Sequence, residues 1–355
     1  MSNIFHLLNN KFYSPQLEEE IALASKVFVL VDSNTLEHVW PIVASTAGLN
    51  QVEILEVEPG EESKSLEICH HLWASLLESG ANRSSLLINL GGGVVTDLGG
   101  FIASTFKRGI KFINIPSSLL AMVDASSGGK TGINLGHSKN QIGVFNEAHL
   151  VLIFSDFLKT LPLEHLRSGY GEMLKHGLIQ DKKYWTDLTN IKTLSFEEIG
   201  PFIKRSIEIK SEVVTADPFE KGLRKTLNFG HTFGHALESK HWENETPILH
   251  GDAVAIGMLI AAELSTRKGM LSKEENREIQ LEISTKFSLS PIISIKFDDL
   301  IKELKNDKKN TNDKINFTLL NSIGEAVYDQ HCSYEELEIA FDVITKLAEN
   351  NELLA

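Results

Sequence analysis

Four side chains that could bind a metal ion lie in three runs predicted to be helical. His231 and His235 are four residues apart in LNFGHTFGHALE, so both imidazoles face one side of a helix. His250 begins LHGDAVAIGM, and Glu172 stands in GYGEMLKHG. Two histidines and a carboxylate with an open position suit catalytic zinc, which can polarise a hydroxyl group. The residues therefore predict a metal site with one more imidazole than it needs.

Spacing alone leaves the roles of these histidines open. A histidine on a helix can also be a hydrogen-bonded structural residue, and a pair at this spacing can line a polar cleft. Zinc is redox-inert, so any electron transfer at such a site would be carried out by NAD.

The strongest cofactor signal is a glycine loop between an apolar strand and the start of a helix. Gly91, Gly92 and Gly93 occupy it in LLINLGGGVVTDLGGF. Glycine allows a positive φ and close approach of a pyrophosphate to the helix N-terminus. The order differs from G-x-G-x-x-G, and a purely structural turn is the alternative. Asp32, which ends KVFVLVD, could bind a ribose hydroxyl or cap a turn, and Lys64 in PGEESKS could support the cofactor site.

A second glycine-rich run, VDASSGGKTGINLGHSKNQIGVF, predicts an anion site. It places Lys130 and Lys139 around Gly128 and Gly129, and such cations form charge-assisted hydrogen bonds with phosphate and carboxylate groups. The whole chain is acidic, with 34 Lys and Arg against 48 Asp and Glu and a net charge of −14. This charge disfavours nucleic acid and anionic membranes as partners, so an anionic substrate needs a locally basic pocket.

Length and composition predict a globular, cytoplasmic protein of two domains. A chain of 355 residues exceeds what one hydrophobic core usually supports, and its 42% hydrophobic and 23% charged residues are typical of soluble proteins. The two cysteines, Cys69 and Cys332, form no metal-type pair and indicate a reducing compartment. The N-terminus lacks a signal-peptide pattern, and the longest apolar run, 254–262, is too short to cross a bilayer.

The order of the predicted elements places these motifs. Four β-branched runs alternate with helical patterns and predict an α/β domain with a parallel sheet. The runs are KVFVLVD, VEILEVE, SSLLINLGGG and KFINIPSS. The helix at residues 65–78 is expected to pack its apolar side chains on the sheet. Those side chains are Leu66, Cys69, Leu72, Trp73, Leu76 and Leu77.

Beyond Pro162 the pattern changes to successive helices. We therefore predict an NAD-binding domain at residues 1–162 and a helical domain for metal and substrate at residues 163–355. The polar, lysine-rich segment 302–316 is expected to be a solvated loop.

Six motifs in this order resemble the 3-dehydroquinate synthase family. They are GGGVVTDLGGFIASTFKRGI, PSSLLAMVDASSGGKTGINLGHSKNQIGVF, LKTLP, GYGEMLKHGLI, LNFGHTFGHALE and LHGDAVAIGM. The resemblance runs from about Asp32 to Asp307, nearly the whole chain, and six spaced motifs are far more specific than one. It implies an N-terminal Rossmann-like α/β domain, an all-α C-terminal domain, an active site between them and a homodimer.

The resemblance also assigns roles to individual residues. The metal ligands would be Glu172, His231 and His250, which leaves His235 to contact the substrate phosphate. NAD would be bound by Asp32, Glu61, Lys64, Gly93, Val94, Val95, Thr96, Asp97, Ser117, Ser118, Lys130, Lys139, Phe157, Leu158, Lys159 and Thr160. The catalytic and substrate-binding groups would be Asp124, Lys130, Asn140, Glu172, Lys175, Lys210, Arg224, Asn228 and His235, with Arg108 from a second subunit and Lys308 or Lys309 at the phosphate.

The implied reaction converts 3-deoxy-D-arabino-heptulosonate 7-phosphate to 3-dehydroquinate and phosphate, in the shikimate pathway of aromatic amino acid biosynthesis. It would proceed by transient oxidation with NAD, phosphate elimination, re-reduction and aldol closure, with zinc, or cobalt in its place, as the metal. Lys130, Asn140 and His235 would hold the phosphate dianion. Lys210 and Arg224 would hold the carboxylate, because charge-assisted pairs fix orientation. The substrate's own phosphate can assist elimination, so no residue is assigned as the sole base.

Three departures from the family pattern are visible, and none removes a functional side chain. Thr96 replaces a common glycine and would resist a positive φ. Ser117 and Ser118 stand where threonines are frequent, and the spacer between His231 and His250 is slightly longer.

Three other functions are open at this point. Another sugar phosphate cyclase, making an inosose or a valiolone, would share the NAD and metal sites but act on a substrate without the carboxylate. A metal-dependent alcohol or glycerol dehydrogenase would consume NAD stoichiometrically. A non-catalytic NAD-binding protein would show no turnover.

Overall fold

The computed structural model describes residues 3–7, 11–136, 138–306 and 314–353. The contacts within the chain divide it after Pro162 into unit 1, residues 1–162, and unit 2, residues 163–355. Among the described residues, no helix combines the length and the apolar character needed to span a membrane.

Unit 1 is built on a parallel sheet. The strands of unit 1, including two outside that sheet, are β1 (Asn3–His6), β2 (Val27–Asp32), β3 (Glu53–Val57), β4 (Leu86–Gly91), β5 (Lys111–Pro116), β6 (Lys130–Leu135), β7 (Ser138–Phe145) and β8 (Leu150–Ile153). Its helices are α1 (Pro15–Leu23), α2 (Ser33–His38), α3 (Trp40–Val43), α4 (Leu66–Glu78) and α5 (Gly93–Thr105). The sheet order is β1-β8-β5-β4-β2-β3, with every pair parallel. The predicted α/β fold is confirmed.

The apolar runs form this sheet because its central strands are covered on both faces. Every residue of β4 is buried, as are the first five of β2, and parallel strands buried on both faces read as continuous apolar runs. Among the described residues, strands β6 and β7 form a separate two-stranded sheet, an antiparallel hairpin. The second glycine-rich run therefore ends in a hairpin.

Helix α4 begins where the sequence predicts it, but its buried face is narrower than expected. Ser65 caps the helix, its Oγ accepting from the Ile68 N–H at 3.3 Å. Cys69, Leu72 and Leu76 are buried. The predicted packing of two further leucines is wrong, since Leu66 and Leu77 are 61% and 60% exposed.

Unit 2 is mainly helical. Its helices are α6 (Leu163–Gln180), α7 (Lys182–Thr189), α8 (Phe196–Ala216), α9 (His231–Glu243), α10 (His250–Arg267), α11 (Lys273–Lys286), α12 (Ser290–Ile293), α13 (Phe297–Asn306) and α14 (Tyr334–Glu352). Its strands are β9 (Lys314–Ser322) and β10 (Glu325–Ser333). Helix α10 is buried from Gly251 to Ser265, and α6, α9, α11 and α14 pack on it. A helix that is apolar on all sides belongs at the centre of a core.

The fold class predicted for unit 2 is confirmed with one addition. Strands β9 and β10 form an antiparallel hairpin, so "all-α" is too narrow a description. The loop predicted at 302–316 is wrong at both ends, because 302–306 belong to α13 and 314–316 to β9. The apolar alternation that predicts a strand begins at Ile315. It was assigned to the loop because the residues before it are polar. Lys308 and Lys309 lie outside the described residues.

Candidate active site

Three side chains of unit 2 converge as a metal site requires. Glu172 Oε1 lies 3.4 Å from His231 Nε2 and 3.6 Å from His250 Nε2. Ligand atoms placed tetrahedrally about 2.0–2.1 Å from zinc are roughly 3.3 Å apart. Among the described residues, the buried Glu172 Oε1 has no hydrogen-bond partner, which costs free energy unless a cation compensates. The donor set and the distances fit zinc.

The two imidazoles turn the same nitrogen toward Glu172. His231 Nδ1 lies 3.2 Å from the Phe229 carbonyl oxygen, and His250 Nδ1 lies 3.3 Å from Glu238 Oε2. An Nδ1–H that donates to an oxygen leaves the Nε2 lone pair available to a metal. Both rings are therefore oriented for coordination through Nε2.

His235 is the fourth member of this group. The ligand atoms of His231, His235 and His250 lie within 4.8 Å of one another. The His235 ring centroid is 5.1 Å from that of His231 and 5.8 Å from that of His250. The structure thus brings together all four groups that the sequence singled out. The assignment of His235 to phosphate rather than to metal stays a prediction.

The electrostatic surroundings of Glu172 and His231 shift their pKa values in the directions that suit metal binding. The Lys175 ammonium lies against Glu172 Oε2, and both side chains are buried. Burial acts to raise the pKa of Glu172, but the charge of Lys175 above all outweighs it and holds that pKa well below its ordinary value. Burial lowers the pKa of His231 well below its ordinary value, although Glu172 opposes this. Glu172 is therefore ionised and His231 neutral at neutral pH.

His250 is in a different electrostatic environment. Burial acts to lower its pKa, but the carboxylates of Glu238 and Glu172 outweigh burial and raise the pKa of His250 to about 10. Two acidic residues thus face this imidazole, one at each ring nitrogen.

The helices that carry the predicted ligands cross at glycines. A Cβ added to Gly251 on α10 would lie 2.0 Å from the Ser168 carbonyl oxygen on α6. A Cβ added to Gly257 would lie 1.9 Å from the carbonyl oxygen of Gly230, which caps α9. Backbone can approach backbone this closely only without a side chain between them. These crossings set the spacing between Glu172 and the histidines.

The other predicted substrate-binding residues of unit 2 are largely withdrawn from solvent. Lys210 on α8 and Arg224 are 6% and 3% exposed. Arg224 Nη1 donates to the Pro218 carbonyl oxygen at 2.7 Å, and Asn228 Nδ2 donates to Glu220 Oε1 at 2.7 Å. Burying a cation is costly unless anionic groups compensate it. The predicted binding of the substrate carboxylate by Lys210 and Arg224 stays a prediction.

The glycine loop of unit 1 connects β4 to α5. Gly91 ends the strand, Gly92 caps the helix with φ −74°, and Gly93 opens it. None of these three glycines adopts the positive φ that glycine permits. The loop needs glycine because there is too little room for a side chain. A Cβ at Gly91 would lie 2.6 Å from Val95 Cβ, and one at Gly93 would lie 3.3 Å from Ala125 Cβ.

Thr96 fits the loop that it was expected to disturb. It lies in the first turn of α5, it is buried, and its Oγ1 donates to the Gly93 carbonyl oxygen at 3.1 Å. Its φ is not positive. The departure from the family pattern at this position therefore leaves the helix N-terminus intact for an anion.

Residues 54–168 match the family model described as 3-dehydroquinate synthase N-terminal, and residues 169–310 match the one described as 3-dehydroquinate synthase C-terminal. The chain belongs to the 3-dehydroquinate synthase family. A curated 3-dehydroquinate synthase from Parabacteroides distasonis is 40% identical over 319 residues, which cover 89% of this chain and 90% of the relative.

Two solved structures share the fold of the chain. The 2-epi-5-epi-valiolone synthase from Streptomyces hygroscopicus, with NAD⁺ and Zn²⁺ bound, has a TM-score of 0.84 and 23% identity. The alignment covers 98% of this chain and 97% of that one. A 2-deoxy-scyllo-inosose synthase complexed with carbaglucose-6-phosphate, NAD⁺ and Co²⁺ has a TM-score of 0.80 and 24% identity, with coverages of 95% and 96%. At these identities the likeness concerns the fold.

The serines predicted to bind NAD lie beside the glycine loop, whereas Asp32 has a structural role. The Ser117 N–H donates to the Gly91 carbonyl oxygen at 2.9 Å, and a Cβ on Gly92 would lie 3.5 Å from Ser118 Oγ. Asp32 caps α2, as its Oδ1 accepts from the Thr35 N–H at 2.8 Å. Asp32 therefore has the capping role that was the alternative to cofactor binding. Its contact with ribose stays a prediction.

The other predicted residues of unit 1 are spread over several segments. Phe157 and Leu158 are buried in the 3-10 helix Ser155–Thr160, so their side chains belong to the core. Asp124 lies in a π-helical turn, Lys130 begins β6, and β7 carries Lys139 and Asn140. Arg108 is exposed with φ 71°, and the exposed Lys159 pairs with Asp156 at 2.8 Å.

Lys64 is the centre of a polar network that the sequence did not predict. Its buried ammonium lies 2.8 Å from Asp97 Oδ2 and 3.4 Å from Glu61 Oε1, and it donates to Asn140 Oδ1. Asn134 extends the network, since its Nδ2 donates to Glu61 Oε1 at 3.0 Å and its Oδ1 accepts from the Asn140 N–H at 2.9 Å. The network joins the PGEESK segment, α5 and the β6–β7 hairpin, all of which carry predicted cofactor residues.

Replacing Lys64 with methionine is expected to destabilise the chain by about 3–5 kcal/mol, because loss of one partner leaves the Asp97 carboxylate without its counter-charge. Urea unfolding measures this change. The double variant K64M/D97L removes both charges and is expected to recover most of the loss. A double variant as unstable as K64M would contradict the ion-pair explanation.

Asp217 is a functional candidate that the sequence analysis missed. Its carboxylate accepts from the N–H groups of Lys221, Gly222 and Arg224 at 3.0, 2.6 and 3.1 Å. It therefore fixes the loop from which the Arg224 side chain extends. The available signal was Asp217–Pro218 directly after a predicted helix, a pattern typical of a turn.

Proposed function

We propose that the chain is a phosphate-eliminating lyase that converts 3-deoxy-D-arabino-heptulosonate 7-phosphate to 3-dehydroquinate in the shikimate pathway. The convergence of Glu172 with His231 Nε2 and His250 Nε2, beside the buried ammonium of Lys175, is the observation that carries the proposal. Family membership over residues 54–310 supports the activity.

Unit 2 holds zinc and unit 1 holds NAD in this proposal. Zinc bound by Glu172, His231 and His250 would polarise a substrate hydroxyl, while NAD⁺ would take up a hydride and return it. The NAD⁺ with Zn²⁺ or Co²⁺ in the two structural relatives supports this pair of cofactors. On unit 1, the N-terminus of α5 offers unpaired N–H groups to a pyrophosphate, and the Lys64 network holds the neighbouring segments in place.

The chain's own residues bind and orient the substrate. Lys210 and Arg224 bind its carboxylate, because buried cations form strong and directional charge-assisted hydrogen bonds. His235 binds the phosphate, and Lys130 and Asn140 on unit 1 contribute to the same task. Positioning is the main catalytic contribution of these groups, and the substrate's phosphate assists the elimination.

Two finer properties belong to the same proposal. The protein is a homodimer in which Arg108 serves the second subunit, supported by the exposure of Lys107 and Arg108, whose φ values are 50° and 71°. Positive φ is unfavourable for such residues and is retained where a function needs it. The protein is also cytoplasmic, supported by two cysteines that are both buried and unpaired. Light scattering of the purified protein tests the dimer.

Arg224→Ala is expected to raise the KM for the heptulosonate phosphate by roughly 10- to 100-fold, the effect of losing a hydrogen bond to a charged group. The affinity for NAD should change little, because Arg224 belongs to unit 2 and the predicted NAD contacts to unit 1. Lys225→Ala is the matched control, since Lys225 pairs with Asp329 at 2.8 Å on the protein surface. An unchanged KM in R224A would favour a cyclase whose substrate lacks the carboxylate.

A further inference from the structure

Glu238 is a buried acidic residue without a role among the predicted site residues. It lies on α9, the helix that begins with His231, and it is 5% exposed. Glutamate is almost never buried this far unless it is paired. Its Oε2 lies 3.3 Å from His250 Nδ1.

Because of this contact, each ring nitrogen of His250 faces a different carboxylate. Nδ1 faces Glu238 at 3.3 Å, and Nε2 faces Glu172 at 3.6 Å. A carboxylate that accepts from Nδ1–H fixes the tautomer with its lone pair on Nε2, holds the ring in orientation and makes the imidazole a stronger metal ligand. His231 differs, because its Nδ1 meets the carbonyl oxygen of Phe229, which carries no formal charge.

We propose that Glu238 is a positioning residue for the metal ligand His250, acting through His250 Nδ1 rather than on the metal or the substrate. The carboxylate reaches His250 from α9, whereas the imidazole is the first residue of α10. Glu238 thus couples the orientation of one metal ligand to the helix that supplies another. The inference rests on the proposed function, since it requires a metal at this site.

The test is the zinc dissociation constant of Glu238→Gln, measured by competition with a chelator. Glutamine keeps the shape of the side chain and removes the charge. Loss of such a supporting partner is expected to raise the dissociation constant by roughly 10- to 100-fold. Glu238→Asp keeps the charge but withdraws it from Nδ1, and it is expected to weaken zinc binding in the same direction. E238D retains the buried charge. The zinc dissociation constant of E238D therefore tests the inference if E238Q does not fold.

Glu263→Gln is the matched control. Glu263 is buried on α10 and accepts from Arg267 Nε at 2.8 Å and Asn276 Nδ2 at 3.0 Å. At 1.5 Å per residue it lies about 20 Å along the helix from His250. E263Q should therefore bind zinc like the wild type, whatever its stability. Thermal unfolding of the metal-free proteins measures the loss of stability separately from the loss of zinc affinity.

Each outcome decides the inference. Weaker zinc binding in E238Q or E238D, with wild-type binding in E263Q, supports it. A dissociation constant in E238Q within twofold of the wild type overturns it, and so does equal weakening in E263Q, which would indicate a general loss of stability. A wild-type protein that binds no zinc overturns the proposed metal site as well, so the two failures are distinguishable.

Discussion

Glu172→Gln is expected to abolish zinc binding and phosphate release together. Glu172 Oε1 is the atom on which both imidazole nitrogens converge. Removal of a residue that only supports a metal ligand costs roughly 10- to 100-fold in affinity or activity, so loss of the ligand itself should exceed 100-fold in kcat/KM. The zinc content of the purified protein and the rate of phosphate release measure the two effects.

Two further variants make this prediction specific. Glu282→Gln is the control, because Glu282 accepts from the Tyr170 hydroxyl at 2.9 Å without contacting the histidines. It should retain zinc and activity. His235→Ala should also retain zinc, but with a raised KM, if His235 binds phosphate. Full zinc content in E172Q together with its loss in H235A would instead indicate a metal site made of three imidazoles.

Gly257→Ala is expected to destabilise the protein and to weaken zinc binding, although alanine is the better helix former. The added Cβ would lie 1.9 Å from the Gly230 carbonyl oxygen, so α9 has to move away from α10. Overpacking of this kind costs about 1–3 kcal/mol and sometimes more. Because His231 is the first residue after Gly230, the same movement displaces a metal ligand. Urea unfolding and zinc competition measure the two losses.

Gly200→Ala is the matched control for that prediction. Gly200 is also inside a helix, but a Cβ there would lie 3.6 Å from Phe196 Cε2, an ordinary contact. Because Pro201 follows Gly200 and disfavours a Cβ on the preceding helical residue, the helix propensity of alanine is offset, and we expect a change in stability of less than about 1 kcal/mol. The close-crossing explanation fails if G257A is as stable as G200A and binds zinc as tightly.

The elements that the sequence predicts correctly are those whose pattern is local. Strands β2, β4 and β5 are continuous apolar runs because both faces of the sheet are covered, and Ser65 marks the start of α4 through its capping hydroxyl. The four metal-type side chains could also be predicted, because such groups are uncommon on apolar helices. Their selection as ligands came from the family resemblance.

The features that the sequence did not predict depend on contacts between distant segments. Gly257 reads as an ordinary helical residue until its contact with Gly230 is known, and Lys64 reads as a free cation until Asp97 is placed beside it. Glu238 was overlooked because a glutamate near the end of LNFGHTFGHALE looks like part of a solvated face. The start of strand β9 was not predicted, because it directly follows a lysine-rich segment that favours a loop.

The most direct test of the central claim is removal and restoration of the metal. The protein is treated with a chelator, zinc or cobalt is added back, and phosphate release from the heptulosonate phosphate is followed with only a trace of NAD. We expect activity to disappear on chelation, to return with either metal, and to exceed the amount of NAD many times over without accumulation of NADH. Failure of every metal to restore phosphate release, or release limited to one phosphate per NAD, would contradict the proposed function.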